Sequence, residues 1–203
     1  MTWANRITIG RIFLIPVLVG LLLYYEHGRR VAGVPDDRLR VLAFAVFLLA
    51  ALSDAVDGYL ARHCNQRSKL GAVLDPVADK LLMLASLITL SFVQIGAAPC
   101  FPLWFPLIII SRDGILLVGI LLLNFVIKHV EVRPHWIGKA ATFFQLLAIG
   151  AALLDWGQRY WLCVAGGVLT FASTFIYLWD GVGQAHRSGY GEAQPDLAKR
   201  KKR

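Results

Sequence analysis

Four aspartates stand in a pattern that could do chemistry. Asp54 and Asp57 are three residues apart, Asp75 and Asp79 are four apart, and a short connection of roughly Arg62 to Gly71 separates the pairs. On helices, each pair shares one face. A connection this short makes the two helices antiparallel neighbours, which brings both pairs to the same end. Four carboxylates gathered there repel, raise their pKa values or bind cations. Hard oxygen ligands with no Cys or His among them suit Mg²⁺ or Mn²⁺. Four carboxylates can hold two such ions about 3.5–4 Å apart, the arrangement that serves phosphoryl transfer. A single aspartate of this kind reads equally well as a helix-end residue at a membrane interface; the clustering favours the metal site.

The elements that must position these residues are apolar. Of 203 residues, 57% are hydrophobic and 17% charged, and the mean hydropathy is +0.60. Soluble domains carry about a quarter charged residues, so a disordered chain is excluded and a water-soluble domain is not expected. The net charge of +8 is then better explained by loops at an anionic membrane surface than by nucleic-acid binding, and no nucleic-acid partner is expected. Six stretches are long enough to cross a bilayer: Ile9–Tyr25, Val41–Arg62, Leu74–Gly96, Phe101–Ile127, Trp136–Leu154 and Tyr160–Trp179. The expected fold is an all-α polytopic membrane protein, six transmembrane helices with an N-terminal interfacial segment, Thr2–Arg11. No secretory cleavage site, internal repeat or low-complexity tract is evident, and Cys64, Cys100 and Cys163 form no metal or disulfide pattern. Residues 1–185 are expected to form the membrane domain, and residues 186–203 a disordered basic cytoplasmic tail ending in Lys199-Arg200-Lys201-Lys202-Arg203.

Orientation follows from the cations. Arg6, Arg11, Arg62, Arg67, Lys69, Lys128, Arg133, Lys139 and six residues from Arg187 onward fall on one side, fourteen in all; Arg29, Arg30, Arg38, Arg40 and Arg159 fall on the other. Both termini and the aspartate cluster are therefore expected in the cytoplasm, with the chain in a bacterial cell inner membrane. The Gly28–Arg40 loop, with four arginines offset by Asp36 and Asp37, fits this orientation least well.

Two cations, Lys80 and Arg112, are left at membrane depth, where a charge costs roughly 3 kcal/mol even on the lenient scale. Arg112 interrupts the fourth span within Ser111-Arg112-Asp113, and Lys139, Thr142 and Gln145 line one face of the fifth. Arg112 and Lys139 can bind a phosphate. The plainer roles are an ion pair with another span for Arg112, snorkelling for Lys139, and interhelical hydrogen bonding for Thr142 and Gln145. Gly58, Ala61 and Gly71 allow close approach by a ligand or by a neighbouring helix.

Read as one run, Asp54-x2-Asp57-Gly58-x2-Ala61-Arg62-x8-Gly71-x3-Asp75-x3-Asp79 resembles the signature of the CDP-alcohol phosphotransferase family at all eight fixed positions. The resemblance implies an enzyme of phospholipid biosynthesis that displaces CMP from a CDP-linked lipid or alcohol by an acceptor hydroxyl, with divalent metal, usually as a homodimer. Carried over, Asp54, Asp57 and Asp75 are metal ligands, and Asp79 completes the metal site and acts as base. Asp57, Gly58, Ala61, Arg62 and Gly71 border the cytidine diphosphate.

Within that family, Arg112-Asp113, the run Gly138-Lys139-x2-Thr142 and the opening Asn5-x2-Thr8-x2-Arg11 resemble the phosphatidylglycerophosphate synthase branch. The implied substrates are CDP-diacylglycerol and glycerol 3-phosphate, with Arg112, Lys139 and Thr142 at the acceptor phosphate. That branch often has Glu where Asp113 stands and a Pro before Asn5, where this chain has Trp3-Ala4. Asn65-Gln66-Arg67-Ser68 and Ile110-Ser111-Arg112-Asp113 also resemble the cardiolipin synthases of the family, whose acceptor is phosphatidylglycerol. An ion-binding or transport protein is the reading outside enzymology. The carboxylates near one surface and the lack of an inverted repeat count against it.

Overall fold

A backbone in hydrocarbon has to satisfy its own N–H and C=O groups, so long apolar runs become helices. The computed structural model describes the backbone of residues 3–63, 71–96, 98–127 and 135–200, and the side chains of residues 8–53, 74–96, 99–119, 121–122 and 135–183. Among them are six α-helices: α1 (Trp3–Ala32), α2 (Asp37–His63), α3 (Gly71–Phe92), α4 (Trp104–Ile127), α5 (Trp136–Leu153) and α6 (Arg159–Arg200). The all-α expectation holds apart from a two-residue ribbon, β1 (Gln94–Ile95) and β2 (Ala98–Pro99), between α3 and α4. Three described stretches are long and apolar enough to cross a membrane, namely Thr8–Ala32, Trp136–Leu153 and Arg159–Gly183. The molecule is a helical membrane protein.

Three boundaries differ from the sequence reading. The polar opening is no separate segment, because α1 is continuous from Trp3 and meets no proline before Pro16. The expected Gly28–Arg40 loop shrinks to residues 33–36. Gly33, at φ 70°, closes α1 by donating its N–H to the Arg29 carbonyl, and the Asp36 carboxylate caps α2 by accepting from the Arg38 N–H at 3.0 Å. The backbone of α6 runs past the predicted end of the sixth span, Trp179, as far as Arg200.

The chain forms two compact units, residues 1–106 with 145–163 and residues 107–144 with 164–203. In the first, α1 packs along both α2 and α3, while α2 and α3 touch each other sparsely. Among the described residues, the two aspartate-bearing helices are held together chiefly through α1. Leu18, Leu22 and Tyr25 of α1, Ala43, Phe47 and Ala50 of α2, and Ala78 and Leu82 of α3 are buried. Alanines at such positions let helix backbones approach closely, which is what drives association in lipid.

The end of this unit where α1 closes is tied by ion pairs. Glu26, 6% exposed, accepts from Arg29 Nε at 3.0 Å, Arg30 Nε at 2.6 Å and the backbone N–H of Gln94 at 3.1 Å. At the end of α5, the Trp156 N–H reaches the Ala151 carbonyl and the Asp155 N–H the Ala152 carbonyl. This cap places Asp155 at φ 55°, a conformation Asp tolerates. Its carboxylate pairs with Arg159, which also donates to the Ile95 carbonyl at 3.2 Å and so grips the ribbon. Gly96, at φ 75°, turns that ribbon, and a Cβ on it would sit 2.8 Å from Asp155 Oδ1. Gly96→Ala meets both penalties. We expect it to destabilise the fold by about 1–3 kcal/mol, read as a lower thermal midpoint in detergent; an unchanged midpoint would contradict this turn.

Candidate active site

The carboxylates of α3 receive help from α1. Asp75 and Asp79 stand one turn apart at the start of α3, both half-buried. Thr8 is fully buried on α1 and donates its hydroxyl to Asp75 Oδ1 at 2.5 Å. One turn along α1, Arg11 is 1% exposed, and its Nε donates to Ser53 Oγ at 3.4 Å, next to Asp54 in sequence. Ser53 passes its own hydrogen to the Ala50 carbonyl at 2.8 Å. The sequence reading counted Arg11 among surface cations, and the structure corrects this: a buried guanidinium needs polar neighbours, and α2 supplies one. The signal was present as two polar residues, Thr8 and Arg11, at i, i+3 where α1 passes into its apolar run.

Asp54, Asp57, Gly58, Ala61 and Arg62 lie on the last turns of α2, and Gly71 opens α3. Their side-chain positions, and residues 64–70 with Arg67 and Lys69, lie outside the described residues. Among the described residues, no three of His, Cys, Asp and Glu gather into a metal group. Asp75 and Asp79 nonetheless fit Mg²⁺ or Mn²⁺ by chemistry, being hard carboxylate oxygens one turn apart, with a neighbouring hydroxyl that orients Asp75.

The second unit holds Arg112, Lys139 and Thr142. Arg112 on α4 is 8% exposed and pairs with its sequence neighbour Asp113 at 3.3 Å, rather than with a carboxylate on another span. That contact uses Nη1, and the buried Nε has no partner. Lys139 Nζ lies 5.6 Å over the ring of the exposed Trp136, the cation–π contact of a snorkelling lysine. The Thr142 hydroxyl donates within α5, to the Gly138 carbonyl at 3.2 Å. Gln145 is fully buried on the same helix. Of these residues, Arg112 alone presents a buried donor without an acceptor. Next to it stands Tyr177, which the sequence reading did not single out because an aromatic in an apolar helix looks like any other apolar residue.

The family model for CDP-alcohol phosphatidyltransferase matches residues 1–179. The chain is 34% identical over 188 residues to the cardiolipin synthase (CMP-forming) of Streptomyces coelicolor, covering 90% of this chain and 80% of that protein. It is 33% identical over 186 residues to a probable phosphatidylglycerophosphate synthase of Mycobacterium tuberculosis, covering 91% and 80%. Over 152 residues it is 39% identical to the CDP-diacylglycerol–glycerol-3-phosphate 3-phosphatidyltransferase of Bacillus subtilis, covering 74% and 75%.

The contact between Thr8 and Asp75 can be tested directly. Partners that orient a metal-binding carboxylate are worth about 10-fold or more in affinity. Thr8→Val should fold and weaken Mn²⁺ binding by that factor, measured by titration of the purified protein; an unchanged affinity would mean that Thr8 orients nothing at the metal.

Proposed function

Because this chain belongs to the CDP-alcohol phosphatidyltransferase family, we propose that it transfers the phosphatidyl group of CDP-diacylglycerol to glycerol 3-phosphate, giving phosphatidylglycerophosphate and CMP. The observation that carries a phosphate-bearing acceptor is Arg112, a buried guanidinium whose Nε lacks a partner and suits a phosphate oxygen. The names of the Bacillus subtilis and Mycobacterium tuberculosis relatives favour glycerol 3-phosphate as that acceptor.

The acceptor hydroxyl attacks the phosphatidyl phosphorus, the new P–O bond forms, and the bond to CMP breaks. Asp79 takes the hydroxyl proton. Such displacement depends mostly on positioning and on neutralising charge at the in-line oxygens. Asp54, Asp57, Asp75 and Asp79 would hold Mg²⁺ or Mn²⁺, two ions on this reading, which would supply positive charge to the diphosphate and to the departing CMP. The Thr8 hydroxyl fixes the orientation of Asp75. Gly58, Ala61 and Gly71 leave room for the cytidine, bordered also by Asp57 and Arg62. Arg112 receives the acceptor phosphate, with Lys139 and Thr142 alongside it in the carried-over pattern. The reading takes all six helices as membrane crossings, residues 1–185 as the membrane domain, residues 186–203 as a basic cytoplasmic extension, both termini and the active site as cytoplasmic in a bacterial inner membrane, and the working state as a homodimer.

The name of the Streptomyces coelicolor relative favours a second reading, in which phosphatidylglycerol is the acceptor and cardiolipin the product. Liposomes containing CDP-diacylglycerol and Mn²⁺ distinguish the two when glycerol 3-phosphate and phosphatidylglycerol are offered separately. Phosphatidylglycerophosphate is the expected product, and cardiolipin in its place would reverse the assignment. Asp79→Asn should lower turnover by about 10²-fold or more while leaving a folded, membrane-embedded protein; retained turnover would remove Asp79 as the base.

A further inference from the structure

Tyr177 stands in a setting that no role assigned so far explains. Its hydroxyl oxygen accepts the backbone N–H of His135 at 3.2 Å, so the phenolic hydrogen remains to be donated. The His135 ring meets the Tyr177 ring edge-on at 5.4 Å and is itself held by Asp180 Oδ2, 2.6 Å from Nε2. Asp180 lies three residues beyond Tyr177 on α6, so the tyrosine is held by a histidine that its own helix anchors. The ring also lies 6.0 Å from the Arg112 guanidinium carbon.

Gly138 shows where the free donors face. The point at which a Cβ on Gly138 would stand is 3.1 Å from Tyr177 Oη and 3.4 Å from Arg112 Nη2. The hydroxyl of Tyr177 and the guanidinium of Arg112 thus converge on the same turn of α5, which the absent side chain of Gly138 lets both approach closely. The Arg112 Nε, buried and unpartnered, belongs to the same guanidinium. A phosphate oxygen beside these two groups can accept from both, and the tyrosine loses little freedom in meeting it because His135 already holds it.

We propose that Tyr177 is a second hydrogen-bond donor to the acceptor's phosphate, acting with Arg112 and setting the enzyme's affinity for phosphate-bearing acceptors. The assignment rests on the acceptor-phosphate reading of Arg112. The phosphate can belong to soluble glycerol 3-phosphate or to the headgroup of phosphatidylglycerol, since both present phosphoryl oxygens.

The test uses the full-length chain in CDP-diacylglycerol liposomes with Mn²⁺, with either acceptor titrated in separate arms. The arm that supports turnover identifies the source of the phosphate. Loss of a hydrogen bond to a charged group corresponds to about 10-fold or more in affinity. Tyr177→Phe should therefore raise the acceptor KM about 10-fold, while the KM for CDP-diacylglycerol and the thermal midpoint stay put. Gly138→Ala crowds both donors from α5, displaces them and should raise the same KM, which keeps the test open if Tyr177→Phe fails to fold. If Arg112→Gln raises the acceptor KM and neither of the other variants does, the Tyr177 assignment falls alone. If Arg112→Gln also leaves it unchanged, the phosphate pocket falls, and Tyr177 with it. Equal rises in both KM values would make Tyr177 a structural residue and overturn the proposal.

Discussion

A carboxylate on a lipid-embedded helix needs a donor from a neighbouring helix, and here that donor comes from α1. Thr8 meets Asp75 of α3, while Arg11 meets Ser53 of α2, so one face of the first helix serves both aspartate-bearing helices. Apolar association is weak inside a membrane, where lipid tails are as oily as leucine. Polar contacts of this kind therefore set which helix faces which. The position of α1 along both α2 and α3 follows from the same need. The first helix is thus part of the site's framework, although none of the signature positions lies on it.

Much of this was readable from the sequence, and the unread parts share a cause. The predicted span Val41–Arg62 lies within α2, and the predicted Trp136–Leu154 ends one residue from α5. Run length and hydropathy report what a bilayer tolerates, so they find helices well. They do not report which helix packs on which, and the place of α1 was invisible to them. Arg11 looked like a positive-inside residue because charge counting treats every cation near a span end as exposed. The short turn at residues 33–36 was encoded, since Gly33 is a helix stop and Asp36 a helix start. Both signals were overshadowed by the four arginines around them.

Within the site, the parts differ in how directly their chemistry can be recognised. Aspartates at fixed spacing announce themselves, because carboxylates at membrane depth are costly and need a function or a partner. A tyrosine announces nothing, because its ring satisfies the apolar pattern and only its surroundings reveal that its hydroxyl hydrogen is spare. The same holds for Gly138, whose importance lies in the neighbours its absent side chain would strike. Lys139, the most conspicuous cation of α5, reaches toward Trp136 and matches the habits of an interfacial anchor.

The ion pairs around Glu26 bear on how such a chain enters a bilayer. Helices α1 and α2 are joined by four residues, so on the proposed reading, in which both cross the membrane, they insert together as a hairpin. On the proposed orientation, its tip carries Arg29, Arg30, Arg38 and Arg40 across the membrane. Glu26 already engages Arg29 and Arg30, and Asp37 lies 3.3 Å from Arg40, so much of that charge can travel compensated within the hairpin itself. Pairing formed before or during translocation lowers the electrostatic barrier that an uncompensated arginine cluster would face. On that orientation the acidic residues at this tip would serve insertion as well as the finished fold, and would reconcile an arginine-rich turn with the side opposite the termini.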